Sequence, residues 1–404
     1  MNNYLTQLNE AKDIHKDGFK LANLLSAFET IKNLNTEILN EYDKFFVQKW
    51  VFAPWDEVVV NHFECCISLV KQQDHVKAYE YKAQMFQTLC KVIQGIKDEN
   101  WMLPVLFVTS IELRKLALAA DKSIEKKQKQ ENKKSNEHLE NAASILIEAF
   151  RLCVNDNRAA IEVSKRKGIL NIINQLFKIY FKINKLHLCK PLIRAIETNS
   201  NLMEHFTMSQ RVTYAYFIGM KLLFDSEYKQ AEQQLSWAFQ NCHPQSFNNQ
   251  RLILIFLIPV KMLLGHMPTV ELLHRFNLME FQSVLQAVKS GNIKLLEQTL
   301  QENADFFWKH GIYLILERLK IIAYRNIFKK VALITGSHQI DIESFRCALK
   351  YLENESISME EVHCILANLI YEGKIKGYIS LIHQKLVISK QNPFPLLSSI
   401  TTVS

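Results

Sequence analysis

The segment from Ser358 to Gly373 carries the apolar pattern of an amphipathic helix, with a signal at each end. Its apolar residues recur at the i, i+3, i+4, i+7 and i+8 positions of one helix face, namely Val362, Ile365, Leu366, Leu369 and Ile370. Ser358 and Glu361 stand at capping-box spacing, in which each side chain satisfies a backbone donor of the first turn. Gly373 stands where the residue after a helix adopts a left-handed backbone. The pattern therefore predicts a helix between Ser358 and Gly373.

After Gly373 the period of the apolar pattern falls to two, as in a β-strand. The first run alternates between two sets of residues, Ile375, Gly377 and Ile379 on one side and Lys376, Tyr378 and Ser380 on the other. The second run alternates in the same way, with Leu386 and Ile388 against Lys385, Val387 and Ser389. A helix, a glycine stop and a basic hairpin form the second half of a winged helix, a module that binds nucleic acid or proteins and rarely performs chemistry.

The rest of the chain has a helical period almost throughout. Paired amphipathic helices are predicted from Val58 to about Ile96, with a turn near residues 71–75, and further helices of 12–18 residues follow from Glu137 to about Glu302. One helix pair has the small and apolar positions of a tetratricopeptide repeat at Gly219, Ala231, Leu235 and Ala238. A second junction is predicted at residues 290–292. These features indicate a helical-repeat solenoid.

The final module begins at Phe306. A long helix is predicted from Phe306 to Phe328, a second helix follows Asp341, and the Ser358 helix with its hairpin completes the module. The predicted organisation comprises an N-terminal helical segment at 1–60, a solenoid at 61–305 with a lysine-rich loop or extension at 121–136, a winged-helix module at 306–395 and a tail at 396–404.

Composition supports the helical interpretation. The chain of 404 residues has only 10 glycines and 8 prolines, so few strands and few tight turns are expected. Its hydrophobic fraction of 48% is ample for a large core in two or three modules. The predicted fold class is mainly α: a right-handed, tetratricopeptide-like solenoid followed by a C-terminal winged helix.

The eight cysteines include no CxxC pair, which favours reduced, buried thiols in an intracellular protein. The N-terminus lacks the apolar core of a signal peptide. The longest apolar run, Leu252–Val260, is far shorter than the roughly 20 residues that a membrane span needs. A soluble, intracellular protein is therefore expected. The lysine-rich segment is interpreted as solvated, with nuclear targeting as the alternative.

The net charge of +8 is unevenly distributed. No acidic residue occurs between Glu162 and Glu197, whereas eight basic residues do: Lys165, Arg166, Lys167, Lys178, Lys182, Lys185, Lys190 and Arg194. On a helix whose core stripe is Ile172, Leu176, Ile179 and Ile183, three of the lysines, at 178, 182 and 185, fall on the opposite face. An unmixed basic face predicts an acidic partner or nucleic acid, with chance as the alternative.

The terminal module has two further acid-free stretches, one between Glu317 and Asp341 and one after Glu372. They supply the candidate nucleic-acid contacts Arg325, Lys329, Lys330, Lys374, Lys376, Lys385 and Lys390. The outward positions of the Ser358 helix are Glu360, His363 and Asn368, which form no Arg/Asn cluster for reading bases. Any binding is therefore expected to tolerate sequence variation and to weaken with salt.

No catalytic motif accompanies these features. The chain has no GxxxxGK[ST], GxSxG or HExxH sequence, and its histidines show no metallopeptidase spacing. Adjacent Ser337 and His338 cannot form a proton relay, and no oxyanion motif stands beside them. No enzyme activity, cofactor or metal is predicted.

Long stretches of the chain resemble the PCI-domain family, in which a helical-repeat array runs into a winged helix. Within that family the chain resembles the PCI-domain-containing subunit of the nuclear transcription-and-export complex that carries messenger RNA to the pore. The similar stretches are Glu99–Val105, Asn174–Glu197, Gln210–Phe239, Pro259–Leu273 and Cys364–Pro395.

This resemblance implies a non-enzymatic scaffold located in the nucleus and at the nuclear pore, with some cytoplasmic pool. Its winged helix would pack beside that of a large germinal-centre-associated-type scaffold protein, and a small acidic disordered subunit shared with the proteasome lid would wrap its repeats. The paired winged helices would then present a basic surface to RNA or single-stranded DNA. The candidate docking edge of the hairpin consists of Ile375, Tyr378, Ile379 and Val387.

Two alternatives remain at this stage. The chain could be a PCI scaffold subunit of a signalosome-like or proteasome-lid-like assembly that binds only protein. A sequence-specific winged-helix transcription factor is disfavoured, because the Ser358 helix lacks base-reading side chains.

Overall fold

The computed structural model describes residues 1–33, 39, 42–96, 100–127, 136–156, 160–198, 200–353 and 357–400. Half of the lysine-rich segment, residues 128–135, and the last four residues of the tail lie outside this range. The chain divides into two compact units, Met1–Tyr214 and Ala215–Ser404. Among the described residues, no helix has both the length and the apolar character needed to cross a membrane.

The first unit consists of helices, with short 3₁₀ and π-helical segments between some of them. Its described helices are α1 (Asn2–Asn9), α2 (Gly18–Leu24), α3 (Ala27–Asn33), α4 (Lys44–Trp50), α5 (Trp55–Val70), α6 (His75–Gly95), α7 (Leu103–Lys127), α8 (Glu137–Val154), α9 (Ile169–Lys182) and α10 (Cys189–Glu197). The boundary between the units falls within α11 (Met208–Phe224).

Helices α5 and α6 form the antiparallel pair that the sequence predicts. The turn between them ends at Asp74, whose carboxylate accepts hydrogen bonds from the backbone nitrogens of Val76 and Lys77 at 3.0 and 3.2 Å. This N-cap satisfies two donors of the first turn of α6 and fixes where the helix begins.

A buried ion pair joins α6 to α7. The Lys82 Nζ lies 2.6 Å from the Glu112 Oε2, and the two side chains are 0% and 3% exposed. The ammonium also donates to the Leu25 carbonyl at 3.3 Å, while the carboxylate accepts from the Ser26 hydroxyl at 2.6 Å and the Ala27 backbone nitrogen at 3.1 Å. Burial alone would raise the pKa of Glu112, but Lys82 and these hydrogen bonds hold that pKa below its ordinary value. The network fixes the start of α3.

The second unit continues with helices and ends in a small sheet. Its remaining helices are α12 (Tyr228–Asn241), α13 (Phe247–Leu263), α14 (Val270–Arg275), α15 (Glu280–Ser290), α16 (Ile293–Glu302), α17 (Ala304–His310), α18 (Tyr313–Glu317), α19 (Lys320–Thr335), α20 (Ile342–Glu353) and α21 (Met359–Tyr371). The strands are β1 (Gln339–Asp341), β2 (Gly377–Ser380) and β3 (Lys385–Ile388).

The predicted tetratricopeptide-like pair is formed by α11 and α12. A Cβ atom at Gly219 would lie only 2.6 Å from the Leu235 Cγ, so the close approach of the two helices requires glycine there. Ala231, Leu235 and Ala238 are fully buried along the same helix pair. Gly219 therefore allows the close helix packing that the sequence predicts for this pair.

Left-handed glycines end several helices of this unit. Gly291 (φ +73°) ends α15, and the Asn292 side chain then caps α16 by accepting from the Leu295 backbone nitrogen at 3.0 Å. Gly311 (φ +69°) ends α17 in the same way. The prediction of one long helix from Phe306 to Phe328 is therefore wrong, because Gly311 separates α17 from α18 and a turn at residues 318–319 separates α18 from α19.

The winged helix comprises α19, β1, α20, α21, β2 and β3. Its sheet is antiparallel in the order β1-β3-β2, and Leu386 of the middle strand pairs with Ile340 on one side and Ile379 on the other. The first strand, β1, is not predicted from the sequence. The buried core of the module includes Phe328, Phe345, Val362, Leu366, Leu369 and Ile375.

The predicted signals around α21 are confirmed. Ser358 and Glu361 form a complete capping box, with hydrogen bonds of 3.2 and 2.9 Å in the two directions. Gly373 has a φ of +70°. The mainly helical fold class with a C-terminal winged helix is likewise confirmed.

Candidate nucleic-acid and partner interface

Two of the predicted wing lysines, Lys376 and Lys390, are exposed. The Lys376 carbonyl accepts from the Ser389 backbone nitrogen at 2.8 Å, and its own nitrogen donates to the Pro393 carbonyl at 2.8 Å. These bonds bring the segment after β3 back against the start of β2. Lys376 and Lys390 therefore lie at the same end of the hairpin.

Lys329 lies at the edge of a shallow depression of about 380 Å³ between α19 and the segment that follows β3. The depression is lined by His338, Asn392 and Pro393 as well. The Pro393 carbonyl also accepts from the Lys376 backbone nitrogen, so the segment at Pro393 connects the depression beside the exposed Lys329 with the hairpin end. Lys330 is exposed too, but its Nζ donates to the Ser290 carbonyl at 2.6 Å.

Three predicted contact residues are buried, and a surface role does not fit them: Lys165, Arg325 and Lys374. Arg325 Nη2 donates to the carbonyls of Phe394 and Pro395 at 3.1 and 2.7 Å, and burial lowers the pKa of its guanidinium. Lys374 pairs with Glu372. These cations hold backbone or a neighbouring carboxylate and do not present charge to a partner.

Lys165 is the buried cation of the first unit. Its Nζ donates to the carbonyls of Ile93 and Ile96 at 2.5 and 2.7 Å, in the last turn of α6 and just beyond it. A cation at this position satisfies acceptors that the helix leaves open and complements its dipole. Arg166 next to it donates to the Ser164 hydroxyl at 3.1 Å.

Lys385 is half-exposed, and its Nζ lies 3.6 Å from the Asp341 carboxylate. This contact crosses from β3 to β1 at a directly paired position. The nearby carboxylate reduces the positive potential that Lys385 can offer to an anion.

Helix α21 carries no Arg or Lys between Met359 and Tyr371. Its outward side chains Glu360 and Asn368 are exposed, and the His363 ring is hydrogen-bonded to Gln384 at 2.9 Å. A helix with this surface offers neither a phosphate contact nor a guanine-reading arginine. It gives no support to sequence-specific reading of a duplex.

Only part of the predicted docking surface lies on an edge strand of the sheet. Strand β2, with Tyr378 and Ile379, pairs on one side only, whereas Val387 lies on the middle strand and Ile375 is buried in the core. The edge assignment is therefore corrected to β2 alone. Beyond it, the hairpin tip exposes apolar residues that sequence reasoning missed, including Leu381 and Ile382 (91% exposed).

The predicted basic face of the first unit is uneven. Lys182, Lys190 and Arg194 are exposed, whereas Lys167, Lys178 and Lys185 are partly buried. Lys185 is neutralised by Glu140, with 2.8 Å between Nζ and Oε1.

Lys178 differs from its neighbours because it faces other cations. Burial and, after it, repulsion by Arg114 and Lys115 lower the pKa of Lys178 to about 8. Arg114 and Lys115 lie on α7, and sequence reasoning missed them because they stand in a short acid-free stretch between Glu112 and Asp121 that has only these two cations.

The described residues include no group of three or more His, Cys, Asp or Glu side chains that could hold a metal ion. Six of the cysteines are buried, and burial raises the pKa of Cys65 to about 12. Such thiols are poor nucleophiles at neutral pH.

Comparison with known proteins extends these observations. Residues 300–390 match the family model described as "PCI domain". The chain is 50% identical to "PCI domain-containing protein 2" of Xenopus laevis over 401 residues, which cover 99% of this chain and 98% of that protein. It is 43% identical to the "PCI domain-containing protein 2 homolog" of Drosophila melanogaster over 401 residues, covering 98% and 99%. It is 34% identical to "Enhanced ethylene response protein 5" of Arabidopsis thaliana over 368 residues, covering 84% and 86%.

Proposed function

The chain belongs to the same family as PCI domain-containing protein 2 and contains a PCI domain, and on this basis we propose that it is a non-enzymatic scaffold subunit of the nuclear mRNA export complex. In this role it couples transcription to export, in the nucleus and at the nuclear pore. Its winged helix packs beside that of a larger germinal-centre-associated-type scaffold protein, a small acidic disordered subunit wraps its repeats, and the assembly binds RNA or single-stranded DNA without sequence preference.

The observation that carries the nucleic-acid part is the distribution of charge on the winged helix. Lys329, Lys376 and Lys390 are exposed around the segment at Pro393, whereas α21 has no cation at all. A module that contacts phosphates without reading bases needs this arrangement, since phosphate contacts position a protein and base contacts specify sequence.

The observation that supports a winged-helix partner is the free side of β2. Strand β2 pairs only with β3, and Tyr378 on it is 62% exposed. An unpaired strand edge with exposed aromatic and aliphatic groups suits lateral packing against another protein.

The nucleic-acid contact is tested by charge reversal of Lys376 and Lys390 in the full-length chain bound to its partner subunits. Binding of a labelled single-stranded RNA is measured by anisotropy over a range of salt concentrations. We expect K376E/K390E to weaken binding at least about tenfold and to reduce the salt slope by about 1.4, since each lost phosphate contact accounts for about 0.7. K294E/K309E, at two exposed lysines of the same unit, is the matched control. Equal affinity and slope in both variants would exclude the wing as a contact.

The second candidate function is a PCI scaffold subunit of a signalosome-like or proteasome-lid-like assembly that binds only protein. The apolar hairpin tip at Leu381 and Ile382 favours it, because exposed apolar groups add nothing to phosphate binding. Affinity purification separates the two candidates. Recovery of signalosome or lid subunits without an export scaffold would favour the second.

A further inference from the structure

A cluster of three cations lies where α7 and α9 pack together in the first unit. Arg114 and Lys115 come from α7, and Lys178 comes from α9. The Arg114 Nε donates to the Gln175 Oε1 at 2.9 Å, which fixes the guanidinium against α9 one turn before Lys178. The side chains of Arg114 and Lys178 are partly buried, so the cluster is a feature of the helix packing and not a group of freely solvated lysines.

This cluster has no acidic counterpart in the described part of the chain. No carboxylate there lies within ion-pair distance of any of its three members. The carboxylate nearest to Arg114 and Lys115 along α7 is committed elsewhere, since Glu112 pairs with Lys82 at 2.6 Å. Partly buried like charges repel each other and lose hydration, and a bound anion relieves both effects. The lowered pKa of Lys178, about 8, reflects that unrelieved state.

An aromatic ring stands directly beside the cations. The Lys115 Nζ lies 5.3 Å from the centroid of the Phe28 ring, and Phe28 is 40% exposed. The backbone that carries the ring is anchored, because the Phe28 backbone nitrogen donates to the buried Glu112 carboxylate at 3.3 Å. An accessible ring beside a cation is the combination with which proteins bind single-stranded nucleic acid, where rings stack on bases and cations meet phosphates.

We propose that Arg114, Lys115 and Lys178, together with the ring of Phe28, form a second and sequence-tolerant contact for single-stranded nucleic acid on the helical repeats. It is separate from the winged-helix contact proposed above. An acidic peptide is the competing ligand, but carboxylates need only the cations and leave the exposed ring without a role.

The test uses the full-length chain and a short fluorescein-labelled oligouridylate, with anisotropy measured across a salt series. K115E/K178E is expected to weaken binding about tenfold or more and to lower the salt slope by about 1.4. The matched control K77E/K91E makes the same charge change at two exposed lysines of α6. K115Q/K178Q removes the charges without reversing them, and it serves if the glutamate variant does not fold by circular dichroism.

Phe28→Ala adds a readout that charge alone does not move. Loss of one stacked base is expected to weaken binding about fivefold or more while leaving the salt slope unchanged. An unchanged affinity in F28A would remove the ring from the proposal and overturn it as a nucleic-acid site.

Two further outcomes would overturn the proposal. One is that K115E/K178E and K115Q/K178Q bind the oligonucleotide as the control does. The other is that these variants lose affinity only for a poly-glutamate peptide and keep their affinity for the oligonucleotide. That result would make the cluster a site for acidic proteins. The wing variant K376E/K390E tests the proposed function independently, so failure at either surface is distinguishable from failure at the other.

Discussion

Helix α7 carries two sets of charges within one turn of each other, and only the first set is paired with an opposite charge. Glu112 is buried, pairs with Lys82 and accepts hydrogen bonds from the start of α3. Arg114 and Lys115 face another cation, Lys178, and no acid within the described residues. The difference teaches that the charges of the first set depend on each other, so that losing one leaves the other buried and unpaired, whereas burial and like charges around the second set lower the pKa of Lys178, an effect that a bound anion would oppose.

The buried cations Lys165 and Arg325 belong with the first set. Each donates to two backbone carbonyls that are far away in sequence, so their charges are used inside the molecule. A basic residue counted from the sequence is therefore a candidate for binding only when its interior hydrogen bonds are known to be absent.

The largest expected effect comes from removing the anion of the buried pair. Glu112→Gln keeps the shape of the side chain but leaves the Lys82 ammonium buried without a counter-charge. The free energy of unfolding of the first unit should fall by about 3–5 kcal/mol, measured by urea denaturation with circular dichroism. Glu125→Gln, at an exposed position of the same helix, should change it by less than about 0.5 kcal/mol. A loss as small as in that control would abolish the distinction between the two sets.

A smaller loss is expected when a buried cation no longer holds the end of α6. Lys165→Met leaves the carbonyls of Ile93 and Ile96 without their charged donor, and the unfolding free energy should fall by about 2–3 kcal/mol. Lys167→Met, two residues further along at a partly exposed position, is the control. Hydrogen exchange at the last turn of α6 should accelerate in the first variant alone. Equal exchange in both would show that the helix end does not depend on Lys165.

The smallest effect has the opposite sign. Lys178→Met removes a partly buried, unpaired cation and should raise the unfolding free energy at pH 7 by about 1 kcal/mol, after allowance for solvent screening. Burial and the neighbouring cations lower the folded-state pKa to about 8, against roughly 10.4 in the unfolded chain. Between these values the unfolded chain binds the extra proton, so wild-type stability rises with pH. The advantage of the variant should therefore shrink from pH 8 to 10.5. Lys182→Met, at an exposed position of the same helix, is the control. A stabilisation of K178M that stays constant with pH would contradict an electrostatic origin.

The parts of the winged helix that the sequence predicts are those whose determinants are local. The capping box at Ser358 and Glu361, the helix face of α21 and the left-handed Gly373 all lie within one short segment. The pairing of β2 with β3 follows from alternation and a short turn. Such features depend on neighbouring residues, so the sequence pattern is sufficient.

The features that the sequence does not predict depend on distant residues. Strand β1 has only three residues, and it is a strand because β3 pairs with it across the module. The burial of Arg325 depends on carbonyls at Phe394 and Pro395. The breaks at Gly311 and at residues 318–319 lie in a segment whose apolar period continues on both sides, so periodicity alone joins three helices into one. At the candidate site, acid-free runs locate Lys178, Lys182, Lys376 and Lys390, but they miss Arg114 and Lys115 beside Glu112.

The strand order β1-β3-β2 has a consequence for how the chain is made. The ribosome synthesises the middle strand last, so neither β1 nor β2 can pair until Lys385–Ile388 has emerged. A nascent winged helix therefore exposes two unpaired strands and the apolar faces of α20 and α21 until its final stage of synthesis. A premature stop codon before Lys385 leaves the product permanently in that state, as a substrate for chaperones and proteases, even though most of the chain is present.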